Sequence, residues 1–83
     1  MKIYRCTWEF DAYTEFTPYF RTKEKAKDYF WNMIHEKGNE ILLAEVQAYY
    51  NDYHEEDESF KEFVYAIFDG WDICGYETAE LID

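Results

Sequence analysis

The chain has few positive charges, few glycines and no catalytic motif. Its 83 residues include eight lysines and arginines against nineteen aspartates and glutamates, so the formal net charge is −11. A protein this acidic repels phosphates, which excludes direct binding to nucleic acid or to an anionic membrane. The three glycines, Gly38, Gly70 and Gly75, stand at predicted element boundaries, so glycine-rich loops that cradle phosphates are missing too.

Long apolar runs and closely spaced cysteines are also missing. No stretch of about 18 apolar residues predicts a membrane-spanning helix, and Met1 leads into an alternating strand instead of a signal peptide. The two cysteines, Cys6 and Cys74, form neither a metal-binding spacing nor a dense disulfide framework. We therefore expect a cytoplasmic protein in which these two thiols stay reduced.

Residues with catalytic or metal-binding potential lack the partners that such chemistry needs. The pair His35 and Glu36 is not followed by the second histidine of a zinc protease. His54 precedes four carboxylates, but that run has neither the glycine nor the ligand spacing of a calcium-binding loop. Ser59 stands where a helix cap is expected, and no motif supplies a base to activate it. We expect no enzyme, no cofactor and no bound metal.

Aromatic residues are abundant instead. Three tryptophans, nine tyrosines and seven phenylalanines occur in a chain long enough for one domain, residues 1–83. A domain of this size buries only about 60–65% of its unfolded surface, which is too little to hide every aromatic side chain. Several should therefore lie at the surface, where tyrosine and tryptophan favour contacts with other proteins.

The first twenty residues predict a β-hairpin. Residues 2–10 alternate between apolar and polar side chains, as a half-buried strand does. We predict a turn over residues 11–14 and a second strand over 15–20. Pro18 cannot donate a ladder hydrogen bond, so this strand should lie at a sheet edge or be broken. The side chains expected to face inward are those of Tyr4, Cys6, Trp8 and Phe10.

Residues 23–37 are predicted as a helix. Thr22 is a good N-cap, and Gly38 stands where a left-handed residue ends a helix. His35 should complement the negative end of the helix dipole. The apolar face comprises Ala26, Tyr29, Phe30, Met33 and Ile34, and the outer, solvated face comprises Lys23, Lys25, Lys27 and Asp28.

Residues 39–52 fit two structures. As a strand, alternate residues from Leu42 to Tyr50 share one face. As a helix, Asn39 is the cap, and leucine, alanine and glutamate are strong helix formers. The absence of glycine and proline between Asn39 and Asp69 slightly favours the helix.

The last third of the chain predicts a helix and a closing strand. Ser59 and Glu62 form a capping box for an apolar helix from Phe60 to Asp69. A strand is predicted over residues 72–83. Residues Phe63, Ile67 and Phe68 of the predicted helix should be core, packed against Phe30 and Ile34 of the first long helix, residues 23–37. The order of elements predicts an α+β fold, in which two or three helices pack on a small, mostly antiparallel sheet made of the N-terminal hairpin and the C-terminal strand.

Negative charge is confined to the second half of the chain. Thirteen of the nineteen carboxylates follow Gly38, against one cation, Lys61. Residues 39–83 therefore carry −12 and residues 1–38 carry +1. We predict a partner-binding surface in which tyrosines accompany the carboxylates: Tyr49, Tyr50, Asp52, Tyr53, Glu55, Glu56, Asp57, Glu58, Glu62 and Asp69.

Carboxylates held in a line can occupy the lysine and arginine sites that a nucleic-acid-binding protein keeps for phosphates, and tyrosines add contact area beside them. In size, charge and aromatic content, the whole chain resembles small phage-encoded anti-defence proteins, including anti-CRISPR proteins and other DNA-mimic inhibitors. The segment from Phe20 to Ala26, a strand running into a lysine-rich helix, is also similar to segments common in small phage proteins. The resemblance implies an inhibitor that binds the basic nucleic-acid-binding surface of a nuclease in the host cytosol.

Two other interpretations remain open at this point. An acidic module of the antitoxin or immunity-protein kind, holding one basic toxin, has the same electrostatics. Acidity can also serve only to keep an aromatic-rich protein soluble. Exposed aromatic residues leave a homodimer open as well.

Overall fold

A computed structural model describes residues 2–10, 13–69 and 74–80. Within these residues the elements follow in the order β1 (Lys2–Phe10), β2 (Tyr13–Phe16), α1 (Lys23–Ile34), α2 (Glu40–Tyr53), α3 (Phe60–Ile67) and β3 (Cys74–Glu80). The predicted α+β class, with an N-terminal hairpin and a C-terminal strand in one sheet, is confirmed. The predicted strand over 72–83 is observed as β3, and residues 70–73 and 81–83 lie outside the described residues.

The sheet is antiparallel, with strand order β2-β1-β3. Period-two alternation along β1 sends Cys6 and Trp8 to the helical side, where both are fully buried. Arg5 points to the opposite face, where it lies across from Glu77 of β3 and forms an ion pair at 2.6 Å. The inward face predicted from the alternation is therefore correct for these residues, and the side chain of Phe10 lies outside the description.

A β-bulge follows the end of β2 and interrupts the pairing with β1. Thr7 is paired with Phe16, whereas Tyr4 is paired with Phe20 through two backbone hydrogen bonds of 2.7 Å. Three steps along β1 therefore match four steps along the partner, which is the signature of one extra residue. The predicted second strand over 15–20 is thus broken, as Pro18 indicated.

Thr17 repairs the ladder at this bulge. Its hydroxyl oxygen accepts the Cys6 N–H at 3.0 Å, and the hydroxyl itself donates to the Pro18 carbonyl at 2.9 Å. Among the described residues, no buried side-chain nitrogen or oxygen atom lacks a hydrogen-bond partner. The predicted turn over 11–14 is wrong at its end, because β2 begins at Tyr13; residues 11–12 lie outside the described part.

Helix α1 begins as predicted and ends three residues early. The Thr22 side chain accepts from Lys25 N at 3.2 Å. The helix stops at Ile34 instead of residue 37, because the N–H of His35 turns back to a carbonyl three residues earlier. The ring of His35 also caps the helix, with Nδ1 lying 2.7 Å from the carbonyl oxygen of Trp31.

Residues 40–53 form a helix, which settles the ambiguity of this segment. Leu42 and Val46 are its buried residues. Asn39 occupies the N-cap position but does not cap, because its amide donates to Met33 O at 2.8 Å and ties α2 to the end of α1. The turn between the helices is made by Gly38, which has the left-handed φ of 99° predicted for it.

The core lies between the sheet and the three helices. Phe30 of α1 stands at its centre, with its ring 6.1 Å from Trp8 of β1 and 4.8 Å from Phe68 after α3. Helix α3 begins with the predicted capping box between Ser59 and Glu62, and it ends at Ile67 instead of Asp69. The buried hydrophobic residues are Cys6, Trp8, Ala26, Phe30, Met33, Ile34, Leu42, Val46, Phe63, Val64, Ile67 and Phe68.

Lys27 is not on the solvated face of α1, so that prediction is wrong for this residue. Its side chain is only 8% exposed, and its Nζ lies 3.2 Å from Asp69 Oδ2. Tyr76 of β3 donates its hydroxyl to the other oxygen of the same carboxylate at 3.1 Å. Burial alone lowers the pKa of Lys27, but the hydrogen bonds with Tyr76 and Asp69 outweigh it and raise that pKa. The ammonium therefore stays charged and joins α1 to α3 and β3.

Candidate interaction surface

Glu55, Glu56, Asp57 and Glu58 form a closed turn between α2 and α3, called here the acidic turn. Glu58 N donates to Glu55 O at 3.0 Å, and Glu55 N donates to Glu58 Oε1 at 3.1 Å. Asp57 takes a left-handed φ of 69°, a conformation that aspartate tolerates better than most residues. The acidic stretch is therefore an ordered structure with its own hydrogen bonds.

Tyr50 attaches the acidic turn to the core. Its hydroxyl donates to Glu58 O at 2.7 Å, and its ring packs edge-on against Phe60 and Phe63 at 5.4 and 5.5 Å. His54 stacks on the same ring at 4.3 Å and places Nδ1 2.6 Å from Tyr50 O, which caps the end of α2. Both ends of the turn are thus held by one half-buried tyrosine.

The carboxylates of the acidic turn differ in what they do. Glu58 holds the turn together, and Glu62 accepts from Ser59 N at 3.3 Å in the capping box. These two carboxylates also lie near the positive end of the α3 dipole, so they have a local structural role. Glu56 and Asp57 are exposed, and no lysine or arginine lies within ion-pair distance of them among the described residues. Asp52 and Glu55 are likewise exposed, and no lysine or arginine among the described residues lies within ion-pair distance of them.

Stacked tyrosines run from the core to the edge of this surface. Tyr49 packs edge-on against the buried Trp8 at 5.5 Å, and Tyr53 stacks on Tyr49 at 6.0 Å. Tyr53, the last residue of α2, is 60% exposed. The Tyr53 ring is therefore exposed to solvent beside the acidic turn, and it stacks on the ring of Tyr49.

Nine of the ten predicted site residues lie around the end of α2, the acidic turn and the first turn of α3. Asp69 does not, because it follows the opposite end of α3 and is bound by Lys27 and Tyr76. Its charge is compensated by the ion pair with Lys27. We therefore assign Asp69 to the structure of the protein and define the acidic surface as Asp52, the acidic turn and Glu62.

A groove of about 400 Å³, called here the α1–α3 groove, lies between α1 and α3, and no pattern in the sequence predicts it. Tyr65 of α3 donates its hydroxyl to the Asp28 carboxylate across it. Burial, together with the adjacent Asp28, raises the pKa of Tyr65 to about 12, so its hydroxyl remains a donor. The lining residues are Asp28, Ser59, Lys61, Glu62 and Tyr65.

Other clusters of reactive side chains provide no second site. Within residues 2–10, 13–69 and 74–80, no group of three or more histidines, cysteines and carboxylates is placed to hold a metal ion. Among the same residues, no helix has the length and apolarity needed to cross a membrane. Cys6 lies near Lys27 and Asp69, but burial raises the pKa of its thiol to about 12, so it is not an activated nucleophile at neutral pH.

The chain matches no family model, no curated protein and no solved structure. Its function is therefore inferred from the chemistry of its surface.

The raised pKa of Cys6 predicts a loss of stability at high pH. The folded state keeps the thiol proton to about pH 12, whereas the ordinary value is 9.0. Above pH 9 the unfolded chain releases this proton and the folded chain does not, so stability falls with rising pH by at most about 1.4 kcal/mol per unit. Lys27, whose pKa is also raised, loses its stabilising charge in the same direction.

Urea unfolding of the wild type and of Cys6→Ala, at pH 8 and pH 10.5, measures the share of Cys6. The wild type should lose roughly 1–2 kcal/mol more than the variant between these pH values. Equal losses in both proteins would show that the thiol is not held in its protonated form by the fold.

Proposed function

We propose that this protein binds a basic surface of a partner protein through the acidic surface and Tyr53, and that the partner uses this surface to bind nucleic acid. The observation that carries the proposal is the ordered acidic turn, which holds Glu55, Glu56 and Asp57 outward from a hydrogen-bonded frame. A merely solubilising acidic segment needs no such frame.

Charge supports this choice of partner. Residues 39–83 carry −12, so their field attracts basic proteins and repels phosphates. Steering by such a field acts mainly on the rate of association. A surface built to attract lysine and arginine side chains competes for the same groups that phosphates neutralise in a protein–nucleic acid complex.

The preorganised structure of the acidic turn also supports the proposed function. Binding by a disordered acidic segment loses the entropy of ordering it, whereas the acidic turn is already closed by Glu58 and fastened by Tyr50. Tyr53 adds an exposed ring that is stacked in place on Tyr49, and tyrosines of this kind are common binding hot spots.

We propose that the partner is a nuclease, since a nuclease presents a basic nucleic-acid-binding surface and a protein that covers this surface acts as its inhibitor. On this proposal the chain acts as anti-defence inhibitors do, by nucleic-acid mimicry or occlusion, with anti-CRISPR proteins as the model, in the cytoplasm of a host cell.

Two variants of equal charge test the proposal. In the acidic-turn variant, Glu55→Gln, Glu56→Gln and Asp57→Asn remove three carboxylates without disturbing Glu58, which bonds the turn. In the matched control, three exposed carboxylates elsewhere become amides: Glu9→Gln, Glu24→Gln and Glu80→Gln. Both variants have a net charge of −8, so a difference between them reports position and not total charge.

Each protein is immobilised and exposed to lysate of candidate host cells, and the retained proteins are identified by mass spectrometry. A basic nucleic-acid-binding protein held by the wild type and the control, but released by the acidic-turn variant, is the expected result. A partner held equally by all three proteins would contradict the proposal. A partner that depends on the acidic turn but binds no nucleic acid would replace mimicry by the antitoxin-like module.

A further inference from the structure

The α1–α3 groove has a composition suited to a cation. Its lining includes two carboxylates, Asp28 from α1 and Glu62 from α3, together with Tyr65 of α3. One oxygen of Asp28 accepts the Tyr65 hydroxyl, and its other oxygen has no partner among the described residues. The groove is wide open to solvent and has a volume of about 400 Å³.

The side-chain ammonium group of Lys61 lies near two aromatic rings at this groove. Lys61 Nζ is 5.8 Å from the ring centroid of Trp31 and 5.8 Å from that of Tyr65. Cations within about 6 Å of an aromatic face are attracted by its electrons. Lys61 is exposed and none of the ion pairs among the described residues involves it. The position of the Lys61 ammonium group shows where a cation is favoured, although no ion pair holds it there.

We propose that the α1–α3 groove binds the guanidinium group of an arginine side chain supplied by the basic partner. This inference rests on the proposed function, since it names the side chain that the acidic surface would capture. The groove adjoins the acidic surface directly, because Glu62 belongs to both and Ser59 begins α3 next to the acidic turn.

Arginine fits this groove better than lysine does. A planar guanidinium can stack on the Tyr65 ring and donate to the Asp28 carboxylate at the same time. It is also more weakly hydrated than an ammonium group, so it loses less on leaving water. An incoming guanidinium replaces Lys61 over the rings, and the flexible Lys61 side chain swings out to solvent.

The test uses N-acetyl-arginine methylamide and N-acetyl-lysine methylamide as probes, titrated into the labelled protein and followed by NMR. We expect saturable shifts at Asp28, Lys61 and Tyr65 with the arginine compound, and binding at least about fivefold weaker with the lysine compound. Asp28→Asn should weaken arginine binding about tenfold, the loss of one charged hydrogen bond. The matched Glu80→Gln, which removes the same charge from β3, should leave it unchanged.

Replacing Lys61 is expected to strengthen arginine binding, which is the opposite of the effect expected for Asp28→Asn. Lys61→Gln removes the competing cation, so arginine binding should tighten two- to threefold or more, whereas Lys2→Gln, with the same charge change on β1, should not tighten it. Weaker binding in Lys61→Gln would overturn the proposal, as would equal binding of the two probes or indifference to Asp28→Asn.

Failure here differs from failure of the proposed function. If the probes ignore the groove while capture of the protein partner still depends on the acidic turn, only the arginine assignment falls. If the groove binds arginine but no partner depends on the acidic turn, the arginine site is supported and the function proposed for the acidic surface is wrong.

Discussion

Replacing Phe30 with alanine is expected to remove about 3–5 kcal/mol from the free energy of unfolding. The Phe30 side chain is fully buried, and its ring contacts Trp8 from the sheet and Phe68 after α3. Its removal leaves a cavity where the sheet, α1 and the end of α3 meet. A domain has only about 5–15 kcal/mol of stability, so this variant should unfold at a much lower urea concentration.

Tyr29→Ala is the matched control for this prediction. Tyr29 precedes Phe30 on the same helix and is 41% exposed, and its ring lies 5.6 Å from that of Phe20. Its truncation should cost about 1 kcal/mol or less. If both variants unfolded at the same urea concentration, the core would not be centred on Phe30.

Neutralising the acidic turn is expected to slow association with the partner about ten- to a hundredfold at low ionic strength. The change is the triple amide variant Glu55→Gln, Glu56→Gln and Asp57→Asn. These side chains are exposed and hold no part of the turn, so the folded structure should persist. Asparagine accepts the left-handed φ of residue 57 at least as well as aspartate does.

Stopped-flow association, measured from low to high salt, separates this effect from a loss of contacts. The difference between wild type and variant should shrink as salt rises, because the Debye length is about 8–10 Å at physiological ionic strength. The control with amides at positions 9, 24 and 80 should lose much less. A slowdown of the same size in both variants would show that only total charge matters.

Local patterns in the sequence predicted the parts of the fold that local interactions determine. The alternation along β1 placed Cys6 and Trp8 inside because the side-chain period of a strand fixes its faces. The capping box of α3 was predictable because Ser59 and Glu62 bond each other's backbone within four residues. The break in the second strand near Pro18 was predictable from the missing N–H of proline.

The errors about side-chain surroundings concern contacts between residues that are far apart in the chain. The sequence pattern around Lys27 is typical of a surface lysine. In the fold, Lys27 is hydrogen-bonded to Asp69, which is 42 residues later in the chain. The α1–α3 groove needs Asp28 and Tyr65, which are 37 residues apart. Residues 40–53 were ambiguous for another reason: Leu42, Val46 and Tyr50 lie on one face in either period, so only packing decides.

Competition between this protein and nucleic acid for a purified partner tests the central claim most directly. The partner is bound to labelled DNA or RNA, and the protein is added while labelled nucleic acid and total complex are measured. The proposal predicts that the protein displaces the nucleic acid completely, that excess nucleic acid reverses this, and that the acidic-turn variant displaces it only at higher concentration. A stable ternary complex of partner, nucleic acid and this protein would contradict the claim that the acidic surface occupies the nucleic-acid-binding site.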